Sequence, residues 1–193
     1  MGRNAQRPTP PAARWIVESA TPFDQLTMFG PSGFEASARL RFIPDPSCQG
    51  QDEADVVLPD DHIPDLVQVQ LALRRLAEFT ATPQDCYFCV WDGYSDIELP
   101  AAAALVVLPH RRYAMFQGPL RQIDTFAEDL GSGRIIAPPA FVWPADHRWC
   151  LACDVDPHWA GLGAEQAAVD ALIADVDLDV VQAEPDKPQP LYY

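Results

Sequence analysis

The residues best suited to chemistry in this chain are two Cys-x-x-Cys pairs, Cys86-Tyr87-Phe88-Cys89 and Cys150-Leu151-Ala152-Cys153. Two such pairs can supply four thiolates to a tetrahedral zinc ion. A single pair at a helix N-terminus, where the thiol pKa falls, can run disulfide exchange. Neither pair contains Gly or Pro, and both sit among strand formers such as Tyr87, Val90, Leu151 and Val155. In a strand, positions i and i+3 point to opposite faces, so the two sulfurs of one pair cannot converge on one ion. The sixty residues between the pairs are also more than compact zinc folds use. The residues therefore favour structural thiols in two apolar strands. Zinc held by Cys86, Cys89, Cys150 and Cys153 is the alternative, and redox chemistry the third reading.

Asp146, His147, Asp154 and Asp156 form the second candidate, with His158 nearby in sequence. Paired carboxylates beside a histidine can bind a metal or exchange protons with a substrate. A solvated strand end leading into a turn at Pro157 is the simpler explanation, since exposed Asp is the norm. Asp52-Glu53-Ala54-Asp55 spells a helicase-like box, but no phosphate-binding Gly-x-x-x-x-Gly-Lys loop accompanies it. Gly161-Leu162-Gly163 looks like a fragment of a phosphate loop without its third glycine, and a flexible helix start accounts for it better. No nucleophile elbow, metalloprotease motif or kinase set is present.

The aromatic residues are the third candidate. Trp91, Trp143, Trp149 and Trp159 lie in two segments that also hold Tyr87, Phe88, Tyr94 and Phe141. Core packing is the default for such residues, but Trp and Tyr also dominate contact surfaces. Trp91, Asp92, Tyr94, Trp143, Trp149 and Trp159 form the candidate partner-binding set, centred where a strand meets a loop at Trp91-Asp92-Gly93-Tyr94.

These residues need elements to position them. Phe34 to Phe42 alternates apolar and polar, the period of a strand with one buried face. Leu66, Val69, Leu73 and Leu76 predict an amphipathic helix from Pro64 to about Phe79. Strands are expected at 86–91, 105–108, 113–116, 141–143, 149–155 and 178–181, and helices at 120–130 and 164–174. Residues 1–13 read as a disordered arm, 14–184 as one domain, and 185–193 as a Pro-rich tail. With no regular βαβ rhythm, the expectation is α+β: a mostly antiparallel sheet with helices packed on one face.

The chain has 193 residues, enough for a core without metal or disulfides, and its formal charge is −15. That charge disfavours nucleic acid and anionic membrane surfaces and favours basic partners. The longest apolar run is too short to span a bilayer. No leader segment is apparent, and five cysteines, an odd number, suit a reducing cytoplasm.

The segments 86–94 (CYFCVWDGY), 108–120 (LPHRRYAMFQGPL) and 141–156 (FVWPADHRWCLACDVD) resemble a family of small, acidic, uncharacterised actinobacterial proteins over about residues 84–182. The resemblance implies a shared fold. Size, acidity and the lack of a catalytic set also look like bacterial immunity proteins of the SUKH type. The resulting expectation is a non-enzymatic, cytoplasmic binding protein that masks a basic partner such as a toxin domain. The alternatives are a metal-dependent enzyme or ligand-binding protein around Asp146, and a scaffolding component.

Overall fold

A computed structural model of the chain describes residues 9–94, 99–100, 102–129 and 137–192. Along it run α1 (Arg14–Val17), α2 (Phe23–Phe29), β1 (Ala36–Arg41), α3 (Asp65–Leu76), β2 (Cys86–Trp91), β3 (Ala104–Leu108) and β4 (Arg111–Gly118). There follow α4 (Phe126–Asp129), β5 (Phe141–Pro144), β6 (Trp149–Ala152), β7 (Trp159–Ala164), α5 (Gln166–Ile173) and β8 (Val180–Gln182). The eight strands form one sheet in the order β3-β4-β2-β5-β6-β7-β1-β8, and every pairing is antiparallel. The class is α+β, as the sequence predicts. No helix among the described residues is long and apolar enough to cross a membrane.

Strand periodicity gives the sheet two faces, and both are covered. In β2, Cys86, Phe88 and Val90 point to one side, and Tyr87, Cys89 and Trp91 to the other. The two long helices share the first side, as expected. There α3 buries Leu66, Val69, Ala72, Leu73 and Leu76, and α5 buries Ala168, Val169 and Leu172. Trp149 ties helix to sheet: its indole N–H donates to the Leu76 carbonyl at 3.1 Å, where α3 passes into the 3-10 turn Ala77–Phe79.

The second side is covered by the N-terminal segment. Ala13, Ile16 and Leu26 pack with Val106, Tyr113, Phe141, Trp143 and Cys150. Part of the expected disordered arm is thus structural: Pro11–Ala13 form a 3-10 turn and Ala13 is fully buried. Residues 1–8 of that arm lie outside the described residues. Helices of four and seven residues are shorter than the window in which a 3.6-residue period can be read.

β7 departs from the sequence reading most. Gly161-Leu162-Gly163 does not start a helix; it lies in a strand whose six residues are all buried. Leu162, Ala160 and Ala164 join the α3/α5 face. The glycines leave room for chain packed on the other face. A Cβ on Gly161 would fall 2.0 Å from the Met28 carbonyl oxygen, and one on Gly163 would fall 2.3 Å from the Phe34 ring.

Three further boundaries shift. β4 begins at Arg111, so only Pro109-His110 turns the β3–β4 hairpin, with His110 at a positive φ of 61°. The expected helix at 120–130 opens as a 3-10 turn, Leu120–Thr125, before α4; Leu130 and the glycines after it lie outside the described residues. The Pro-rich tail packs back on the fold. The Pro190 carbonyl accepts the Trp159 indole N–H at 3.1 Å, and the Tyr192 hydroxyl donates to the Pro44 carbonyl at 2.7 Å.

Candidate functional site

Trp91 is the last residue of β2 and is only partly buried, because beyond it the strand gives way to the turn at Asp92-Gly93. The Asp92 N–H donates to the Arg112 carbonyl at 2.8 Å and carries the ladder one residue further. The Asp92 carboxylate pairs with the Arg112 guanidinium. Gly93 lies close against the Trp91 indole: a Cβ there would fall 2.1 Å from the ring. Tyr94 meets that ring edge-on, with centroids 5.1 Å apart.

The β3–β4 turn closes the other side. Arg111 stacks its guanidinium 5.4 Å from the Trp91 ring centroid, a cation–π geometry. Its Nε is 3.4 Å from Asp154 and its terminal nitrogen 3.9 Å from Asp156. The two carboxylates follow β6 two residues apart, and both turn toward Arg111. Trp91, Asp92, Gly93, His110, Arg111 and Arg112 line an open cleft of about 330 Å³. Arg111 thus faces the indole and carries Asp154 and the 83% exposed Asp156, while Arg112 beside it pairs with Asp92. Such a site can hold a flat or cationic side chain.

Comparison with protein-family models, curated proteins and solved structures finds no match. The functional reading therefore rests on this geometry.

The other tryptophans of the candidate set are interior, which corrects the sequence reading. Trp143, Trp149 and Trp159 are at most 1% exposed and cannot touch a partner in this fold. Trp143 stacks on Tyr87 with centroids 5.4 Å apart, and Trp159 packs against Phe29. Strand residues covered on both faces of the sheet leave no solvent side for an indole. Only Trp91, Asp92 and Tyr94 stay together at a surface.

The four paired cysteines are divided between the faces, Cys86 and Cys153 on one, Cys89 and Cys150 on the other. Cys86 is at the start of β2 opposite Pro144, whereas Cys153 bonds Ala140 near the far end of that strand. Strand geometry thus separates Cys86 from Cys153; Cys89 and Cys150 share the other face closely enough for charge on one to disfavour charge on the other, but the sheet divides them from the first two. Burial pushes the Cys86 thiol up to about 12, and Cys89, Cys150 and Cys153 upward as well. Cys48 is exposed. A disulfide reagent added to the native chain is expected to label Cys48 alone, with the other four reacting only after denaturation. Fast release of more than one equivalent would contradict the buried placement.

The alternative acidic site is also pulled apart. Asp146 and His147 precede β6, while Asp154 and Asp156 follow it, at opposite ends of one strand. Asp146 accepts hydrogen bonds from the Thr80 hydroxyl at 2.8 Å, the Ala81 N–H at 2.7 Å and the Arg148 N–H at 3.2 Å. Burial acts to raise its pKa, but these bonds outweigh it and hold the carboxyl low, as suits a hairpin clasp. His147 stacks on Trp15 with centroids 4.1 Å apart. Among the described residues no group of three or more His, Cys, Asp or Glu side chains could hold a metal ion.

One polar cluster has no signal in the sequence. Arg39 is buried on β1 and bonds Asp45 through both terminal nitrogens, at 2.6 and 3.0 Å. Arg41 reaches the same carboxylate at 3.2 Å, and His158 lies 3.1 Å from it. Tyr192 covers the His158 ring edge-on at 4.7 Å. Burial works to raise the Asp45 pKa, but the bonds from Arg39, His158 and Arg41 prevail and lower it to about 2. Residues 39, 45, 158 and 192 are scattered along the chain, so no local pattern joins them.

Proposed function

We propose that this chain is a non-enzymatic, acidic binding protein that masks a basic protein partner, in the manner of an immunity protein. The observation that carries the reading is the Trp91 cleft: a part-exposed indole met by Tyr94, with Arg111 over its face and Asp154 and Asp156 held on that arginine. Arg111 already occupies the ring face and the carboxylates as a partner's arginine would, and the exposed Asp156 leaves room for a further cation. Aromatic side chains in such settings supply most contact energy, while surrounding charges set encounter rate and partner choice. The −15 charge steers a cationic surface toward the chain. The likeness over residues 84–182 to small acidic actinobacterial proteins, and through size and charge to SUKH-type immunity proteins, belongs to this proposal. So does a cytoplasmic location.

The test is capture by the immobilised chain from lysate of its source cells at about 50 and about 500 mM NaCl, where screening differs several-fold. A basic protein retained at low salt, eluted at high salt and absent from a Trp91→Ala column is the expected result. Retention indifferent to both salt and Trp91 would overturn the proposal.

A further inference from the structure

Two strands end the sheet, and they differ in how they are guarded. β8 is three residues long, with Asp177 and Asp179 before it and Glu184 and Asp186 after it. Shortness and flanking charge are common protections against unwanted strand addition. β3, at the other edge, is five residues long, and residues 99–110 contain no Asp, Glu, Lys or Arg. That stretch is uncharged in a chain of formal charge −15.

The ladder identifies which groups of β3 face outward. The Arg112 carbonyl accepts from Asp92, so Arg112 is directed toward β2 and its neighbours Arg111 and Tyr113 toward β3. Their register partners Leu108 and Val106, and Ala104 opposite Met115, therefore bond inward. The N–H and C=O groups of Leu105 and Val107 point away from the sheet. Among the described residues no strand pairs with that edge. The Val107 side chain is 46% exposed.

We infer that β3 is a self-association edge, and that its occupant is β3 of a second copy of this chain. With a two-fold axis at Val106, Leu105 of each copy lies opposite Val107 of the other. Each of these is a hydrogen-bonded antiparallel pair, so the one operation satisfies every outward N–H and C=O of both residues in both copies. Val107 and Leu105 then also pack side by side. The missing charge argues for a second copy over a basic partner. An edge without carboxylates offers a cation nothing, whereas it is where two acidic chains can meet with least repulsion.

This surface does not use Trp91, so it stands or falls separately from the proposed partner site. The test is sedimentation velocity of the full chain over a concentration series. A micromolar dimer is expected, and it should tighten as NaCl rises from about 50 to about 500 mM, because screening relieves repulsion between like-charged copies. That is opposite to the salt response of the basic partner. Val107→Pro removes an outward N–H that the β4 ladder does not use, and should weaken the dimer tenfold or more with the circular dichroism unchanged. Val107→Lys, which brings two like charges near the seam, should do the same and decides the matter if the proline variant misfolds. A wild-type chain that stays monomeric to about 200 µM at high salt overturns the inference, as does a dimer that both folded variants leave intact.

Discussion

Asp45→Asn is expected to lower the unfolding free energy by about 3 kcal/mol, the scale for removing one partner of a buried charge pair. The loss exceeds that of a surface ion pair because Arg39 is only 6% exposed. Asp45 accepts two hydrogen bonds from that guanidinium, one from Arg41, and a contact from His158. An amide cannot neutralise Arg39, whose desolvated charge would then stand alone. The effect carries a pH signature. Asp45 binds its proton less readily folded, at about 2, than its ordinary 3.8, so its contribution is complete above 3.8 and drains away as pH falls toward about 2. Burial, the largest influence on His158, lowers its pKa below 6.5. The unfolded chain therefore takes up that proton first, and stability also begins to fall as pH drops below 6.5. Urea unfolding of both proteins across this range measures the two effects. The gap between wild type and Asp45→Asn should persist at every pH above 3.8 and close toward pH 2. A shift under about 0.5 kcal/mol at neutral pH, the usual range for surface changes, would show the pair to be no more than a surface contact.

Gly161→Ala is expected to cost about 2–3 kcal/mol, within the range for overpacked sites. Elsewhere Gly→Ala often stabilises by about 0.4–1 kcal/mol through the unfolded chain. Here the new methyl would fall 2.0 Å from the Met28 carbonyl oxygen, which is backbone near the end of α2 and cannot turn aside as a side chain can. The helix as a whole would have to lift from β7. Gly163→Ala should cost less, since its obstacle is the Phe34 ring, which has rotamers available. For a chain of this length the Gly161 effect corresponds to a fall in Tm of roughly 5–10 °C. A Tm that is unchanged or raised would mean that α2 does not lie on the sheet at this point.

Where a local period met its expected environment, the sequence was legible. β2 runs from Cys86 to Trp91 as the aromatic run implies, and α3 buries Leu66, Val69, Leu73 and Leu76 at the predicted spacing. The cysteine reading follows from strand alternation, which puts Cys86 and Cys89 on opposite faces. What was not legible depends on distant packing. Gly161 and Gly163 read as a helix entry because glycine in a central strand makes sense only once α2 and Phe34 are laid against it. Arg39 alternates as an outward strand residue, yet Asp45, His158 and Trp159 enclose it. The tryptophans divide the same way. Nothing in their local sequence separates Trp91, at a strand end, from Trp143, Trp149 and Trp159 within fully buried strands.

The claim that the Trp91 cleft is the contact surface is tested most directly by titrating the captured partner against wild type, Trp91→Ala and Trp91→Phe, each at low and high salt. Trp91→Ala should weaken binding at least tenfold, on the scale of a hot-spot residue. Trp91→Phe should restore part of the affinity, and added salt should weaken every complex mainly by slowing association. Equal affinities for all three chains, or a complex that tightens with salt, would contradict it.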